Sequence, residues 1–180
     1  MIRSFVGIAP PDAVRDRLED LGLRLEEGRP VPWDNLHLTL AFLGDLTGPA
    51  LEDVALEIDA IDGPAPEVAI EGVGVFGPAG RPRSAHARVR PTAELSALRE
   101  AVRRAARRGG RELPRERFVP HVTVARFSGK SPAGEGLARW LAREAAFACA
   151  PFRAESLRIW RSDRTEEGPV YTELMETPLA

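Results

Sequence analysis

Two segments of this chain carry the same four-residue pattern 84 residues apart: His37-Leu38-Thr39-Leu40 and His121-Val122-Thr123-Val124. Side chains of an extended strand alternate between its two faces. In each segment, therefore, the imidazole and the hydroxyl share one side and the aliphatic residues share the other. Only three histidines exist in the chain, and two of them open this pattern. The sequence must fold so that two equivalent strands each present a His–Thr pair.

The surroundings of the two segments repeat as well. Residues 5–8 read as a strand. Pro10-Pro11-Asp12 opens a helix with Val14, Leu18, Leu21 and Leu25 on one face, and residues 28–32 break it. The strand at 37–43 follows. Gly48-Pro49 then starts a helix with Leu51, Val54, Ile58 and Ile61 on one face, and residues 68–76 are strand-like. After a Gly- and Pro-rich turn at 77–83 the order returns. A strand spans 85–89, and Thr92 caps a helix carrying Leu95, Leu98, Val102 and Ala105. A strand follows at 118–127, then a helix around Leu137 and Leu141, and strands near 157–160 and 170–175. Val6 falls near Val89 at almost the same offset.

This order predicts an internal duplication, with one unit at about 2–76 and the other at about 84–161. The expected fold is α+β: one two-lobed domain over residues 1–180, built from duplicated β-α-β units. Antiparallel sheets line a central cleft and helices lie outside. A pseudo-twofold axis would set the two His-x-Thr pairs across the cleft from each other.

Composition excludes several classes. No apolar run is long enough to span a bilayer, and the N-terminus lacks the features of a signal peptide. The chain is expected to be cytoplasmic and monomeric, with no membrane partner. Cys149 is the only cysteine, so neither an internal disulfide nor a Cys-based metal cage is possible. The net charge of −2 argues against a broad basic surface for nucleic acid, though not against a small basic pocket.

Two facing histidines suit phosphoryl transfer. A neutral imidazole takes a proton from water while a charged one gives a proton to the leaving oxygen, and both roles are open near pH 7. Thr39 and Thr123 can bond non-bridging phosphate oxygens and orient the rings. A strained 2′,3′-cyclic phosphate could be opened this way without a metal or other cofactor. Two plainer readings compete: histidines merely hydrogen-bonded within a sheet, and a zinc site. The zinc site lacks a third ligand at useful spacing on either strand.

The segments around the histidines resemble a known family. The stretch from Asp34-Asn35-Leu36-His37 through Gly44-Asp45 is similar to the first motif of the RNA 2′,3′-cyclic phosphodiesterases, long called 2′–5′ RNA ligases. Phe118-Val119-Pro120-His121-Val122-Thr123-Val124-Ala125-Arg126 resembles their second. Phe5-Val6-Gly7-Ile8, the Phe76-Gly77-Pro78 turn and Gly168-Pro169-Val170-Tyr171 fit the same family. The resemblance implies a two-lobed fold with the histidines facing in a central cleft. It implies hydrolysis of RNA ends carrying a 2′,3′-cyclic phosphate to a 2′-phosphate, with weak reversible 2′–5′ ligation. It also implies His37 as proton donor and His121 as proton acceptor, with Phe5, Phe42 and Arg126 holding the terminal base and phosphate. Phe42 and Arg126 each stand five residues after a histidine. Plain alternation would turn them away from the cleft, so either a bulge or the end of the strand must turn them back.

Two alternatives stay open: a nucleotide- or RNA-end-binding module without turnover, and a phosphodiesterase for another cyclic or 2′–5′-linked nucleotide. His86 stands where many family members carry an aromatic residue and is expected to be a partly exposed strand histidine. Arg99, Arg103, Arg104, Arg107, Arg108 and Arg111 are expected to form a solvated helix face, with a track for RNA as the sharper reading. Trp33, Trp140 and Trp160 receive no role.

Overall fold

The computed structural model describes residues 1–78, 80–128, 134–166 and 168–180. Ala79 of the expected 77–83 turn lies outside them. The strands are β1 (Ile2–Ile8), β2 (Arg29–Pro30), β3 (Leu38–Leu46), β4 (Glu67–Val68), β5 (Ile70–Phe76), β6 (Ser84–Val89), β7 (His121–Arg126), β8 (Phe152–Arg153), β9 (Ser156–Thr165) and β10 (Gly168–Pro178). The helices are α1 (Asp12–Leu23), α2 (Gly48–Asp59), α3 (Ala93–Arg108) and α4 (Glu135–Arg143). The mixed α+β class and the antiparallel sheet are as expected. The strand expected at 118–127 begins only at His121, and that at 68–76 is divided into β4 and β5.

Helix boundaries follow from local chemistry. Thr92 accepts a hydrogen bond from the Leu95 amide at 3.1 Å, and Thr47 from the Ala50 amide at 3.4 Å, capping α3 and α2. The apolar stripes of α1, α2 and α3 are buried in one core at Val14, Leu18, Leu21, Leu51, Val54, Ile58, Leu95, Leu98, Val102 and Ala105. Trp140 is core, and its indole N–H donates to the Leu21 carbonyl at 3.1 Å, tying α4 to α1. Among the described residues no helix is long and apolar enough to cross a membrane.

The main sheet runs β10-β9-β1-β3-β7-β6-β5, with β2 also pairing with β7. Its two halves meet at one register pair, Leu38 opposite Val122. These residues are equivalent in the repeat and the strands are antiparallel, so the pseudo-twofold axis passes between them. The halves of the sheet interleave the halves of the chain. β9, late in the sequence, pairs with β1, and β5, early in the sequence, pairs with β6. Each repeat therefore lends its last strand to the other.

Register revises one alignment. Gly7 opposes Thr39 and Val6 opposes Ala41, while His86 opposes Thr123 and Ala85 opposes Ala125. Val6 is thus equivalent to Ala85, not to Val89, and Gly7 to His86. Both pairings skip the equivalent residue on the motif strand, Leu40 in β3 and Val124 in β7, and β3 skips a second residue, Leu43, further along. The bulges at Leu40 and Val124 match.

Candidate active site

The bulges supply what plain alternation could not. Residues 38–42 and 122–126 share the burial order buried, half-buried, buried, buried, exposed. After the extra residue, Phe42 and Arg126 return to the side of the sheet that bears the histidines. Phe42 is 62% exposed, which sets it apart from core aromatics.

Both imidazoles are held by the same device. His37 Nδ1 lies 2.7 Å from the Asn35 carbonyl, and His121 Nδ1 lies 2.7 Å from the Val119 carbonyl. A carbonyl only accepts, so Nδ1 carries the proton in each ring and Nε2 is the basic nitrogen. Extending the Leu38–Val122 register by one residue sets His37 opposite Thr123 and Thr39 opposite His121. His37 Nε2 is 2.9 Å from Thr39 Oγ1, where the hydroxyl donates to the neutral ring. That bond has no counterpart between Thr123 and His121 among the described residues.

Burial pushes the His37 pKa down to about 4, with Arg126, His121 and Arg15 lowering it further and the Asn35 bond opposing the shift. His121 is also lowered, first by burial and then by Arg126, against its bond to Val119. Both rings are therefore bases with weak proton affinity.

The packing behind the rings differs between the lobes. Phe5 is 3% exposed and lies 4.6 Å from the His37 ring, with Trp160 and Tyr171 at 5.3 and 4.9 Å from Phe5. Phe5 thus supports His37 from below, while also lining a cavity of about 490 Å³ with Phe42, Arg126, Arg3, Arg164 and Tyr171. In the second lobe Ser84 takes the place equivalent to Phe5, and His86 fills the space from two residues along. His86 is 4% exposed, which corrects the expectation of partial exposure. Its ring stacks on Phe76 at 4.1 Å and lies 5.2 Å from His121. Gly74 makes room for it: a Cβ there would sit 2.7 Å from His86 Nε2.

The arginine cluster also needs correction. Arg99 is 8% exposed, its guanidinium lies 4.7 Å from the Phe118 ring, and Arg103 bonds the carbonyls of Leu113 and Pro114. These two leave the solvated face and pack beneath the segment leading to His121. Trp33 lies at the surface, where its indole donates to Asp16 at 2.8 Å. Sequence reasoning gave no role to Tyr171, Trp160, Phe76 or the Asn35 and Val119 carbonyls. The carbonyls were within reach, since each stands two residues before its histidine. The aromatic supports were not, because they arrive on exchanged strands. Among the described residues no group of three or more His, Cys, Asp or Glu lies close enough to hold a metal ion.

A family model described as the 2′-5′ RNA ligase superfamily matches residues 10–166. The RNA 2′,3′-cyclic phosphodiesterase of Archaeoglobus fulgidus is 27% identical over 176 residues, covering 96% of this chain and 98% of that protein. That of Aeropyrum pernix is 28% identical, covering 93% of each. Among solved structures, TT0787 of Thermus thermophilus superimposes with a TM-score of 0.78 at 26% identity, over 98% of this chain and 97% of the other. E. coli LigT complexed with 3′-AMP superimposes with a TM-score of 0.76 at 25% identity, over 99% and 98%.

Proposed function

The chain belongs to the 2′-5′ RNA ligase superfamily, and from that premise we propose that it hydrolyses RNA ends bearing a 2′,3′-cyclic phosphate to 2′-phosphates. The reaction uses the chain's own acid–base groups and no metal. The observation that carries this reading is the paired tautomer lock, in which each histidine spends its Nδ1 proton on a carbonyl and keeps Nε2 for chemistry. The full-length relatives named for the same activity support it.

The cyclic phosphate carries a negative charge. Between the rings it offsets the burial that depresses both pKa values, so a proton is retained as substrate binds. His121 Nε2 takes a proton from water, whose oxygen attacks phosphorus. The P–O3′ bond breaks, and the protonated Nε2 of His37 gives its proton to O3′. Thr39 and Thr123 bond the non-bridging oxygens, and Arg126 balances their charge. Phe42 offers an exposed face for the terminal base, with Phe5 behind it. One duplicated chain supplies both histidines, so the reading requires no second subunit.

The test uses a short RNA ending in 2′,3′-cyclic phosphate, incubated with protein in EDTA, with the product end identified by chromatography. A 2′-phosphate is expected. His37→Ala and His121→Ala should each lower kcat/KM by roughly a hundredfold or more while the circular dichroism spectrum is kept. Unchanged RNA with folded protein, or full activity in either variant, would overturn the reading.

A further inference from the structure

The repeat is broken at one hydrogen bond beside His37. Asn35 ends the 3-10 turn Trp33–Asn35, two residues before the histidine, and is buried. Its carbonyl accepts the His37 Nδ1 proton at 2.7 Å, and its side-chain Nδ2 lies 2.7 Å from the Pro169 carbonyl. A carbonyl only accepts, so the amide N–H donates to Pro169. The equivalent residue in the second lobe is Val119. It holds His121 through its carbonyl alone, for its side chain has no donor, and it is 44% exposed.

The strand at the other end of that bond is not duplicated either. Outward from the pseudo-twofold axis, β3, β1 and β9 correspond to β7, β6 and β5. β10 adds a fourth strand beyond β9, and among the described strands nothing adds to β5 in the same sheet. β10 starts at the site. Pro169 and Tyr171 line the cavity of about 490 Å³ that Phe5 and Phe42 also line, where the phosphodiesterase reading puts the terminal base. The Tyr171 ring stands edge-on to His37 at 5.2 Å. Through its two hydrogen bonds, one buried residue joins the His37 ring to the wall of the nucleotide cavity.

The duplicated parts of the site do not decide which ring bond of the substrate breaks. In a 2′,3′-cyclic phosphate an approximate twofold axis through phosphorus exchanges O2′ and O3′. The two His–Thr pairs are exchanged by a pseudo-twofold axis as well. An acid and a base on opposite sides of phosphorus can therefore open either bond in line. In both cases His121 takes a proton from water and the water oxygen bonds to phosphorus. If P–O3′ breaks and His37 protonates O3′, a 2′-phosphate remains; if P–O2′ breaks and His37 protonates O2′, a 3′-phosphate remains. Only the placement of the nucleoside relative to His37 separates the two. We propose that Asn35 is a positioning residue that selects the P–O3′ bond, by holding the His37 ring in fixed register with the nucleotide wall at Pro169. The inference rests on the phosphodiesterase reading and adds the residue that sets its regiochemistry.

Two variants cut the tie and keep the backbone carbonyl. Asn35→Asp has the same shape, but an ionised carboxylate has no proton to give Pro169. Asn35→Leu keeps the bulk without the polar group. Each is compared with wild type on a short RNA ending in 2′,3′-cyclic phosphate, measuring kcat, KM and the ratio of 2′- to 3′-phosphate ends. In both variants kcat should fall about tenfold with KM changed less than about twofold. The 3′-phosphate should rise to at least about a tenth of the product. Long-range ¹H–¹⁵N NMR of the ligand-free proteins should show the Nδ1–H tautomer of His37 losing population while that of His121 is kept. A 2′-phosphate as the sole product of both variants overturns the proposal even if kcat falls, because loosened packing alone would slow the reaction. Where one variant fails to fold by circular dichroism, the product ratio of the other decides. Wild-type protein that leaves the ring closed overturns the phosphodiesterase reading, and the selection with it.

Discussion

Replacing His86 by phenylalanine should make the protein less sensitive to acid. Burial holds the His86 pKa down at about 4, helped by His121 and Arg88. In the unfolded chain the ring titrates near its ordinary value of about 6.5. Below that value the unfolded state binds the proton and the folded state resists it, so stability is lost as pH falls from about 6.5 towards about 4. At about pH 5 the difference amounts to at most about 2 kcal/mol, and relaxation of the site around the charged ring brings it to about 1 kcal/mol. Phenylalanine keeps the stack on Phe76 and the fit over Gly74. It removes the titration and also the buried Nδ1, which has no hydrogen-bond partner. The gain from that removal is about 1 kcal/mol at any pH. Urea denaturation of wild type and His86→Phe at about pH 7.5 and about pH 5 separates the two effects, because every other titrating group is common to both. The variant should lose less stability between the two pH values by about 1 kcal/mol. Equal losses would refute the claim that His86 is held neutral by its surroundings.

Other outcomes follow from the same geometry. The proposed reaction needs one histidine charged and one neutral, and both pKa values are lowered in the free protein, that of His37 to about 4. kcat/KM should therefore peak on the acid side of neutrality and fall about tenfold per unit as pH rises beyond those lowered values; a flat profile from about pH 7 to about pH 8 would exclude a histidine as the acid. A Cβ at Gly7 would stand 2.4 Å from the Leu38 carbonyl oxygen, so Gly7→Ala must spread β1 from β3. It should cost about 2 kcal/mol in urea denaturation. Thr39→Val removes the hydroxyl 2.9 Å from His37 Nε2 and should lower kcat at least about tenfold in steady-state assays, with the fold retained. EDTA should leave turnover unchanged; loss of rate restored by zinc would point to a metal-assisted reaction instead.

The sequence by itself determined the local elements and which side chains each strand presents together. Helical stripes, Thr92 as a cap and the alternation of His37-Leu38-Thr39-Leu40 depend on neighbours a few residues away, and such periods survive in one dimension. The fixed offset between the motifs was equally legible, but whether a bulge or the strand's end turns Phe42 and Arg126 was decided by the register. Tertiary structure decided what crosses between the repeats. Exchange of β5 and β9 brings Trp160 beside Phe5 and Phe76 beside His86, and no local period records which strand adds to which edge. The same holds for His86 and Arg99, which polarity alone assigns to the surface. Their burial depends on space left by Gly74 in one case and on the Phe118 ring in the other. A side chain's exposure is set by what packs over it, and here the covering groups come from elsewhere in the chain.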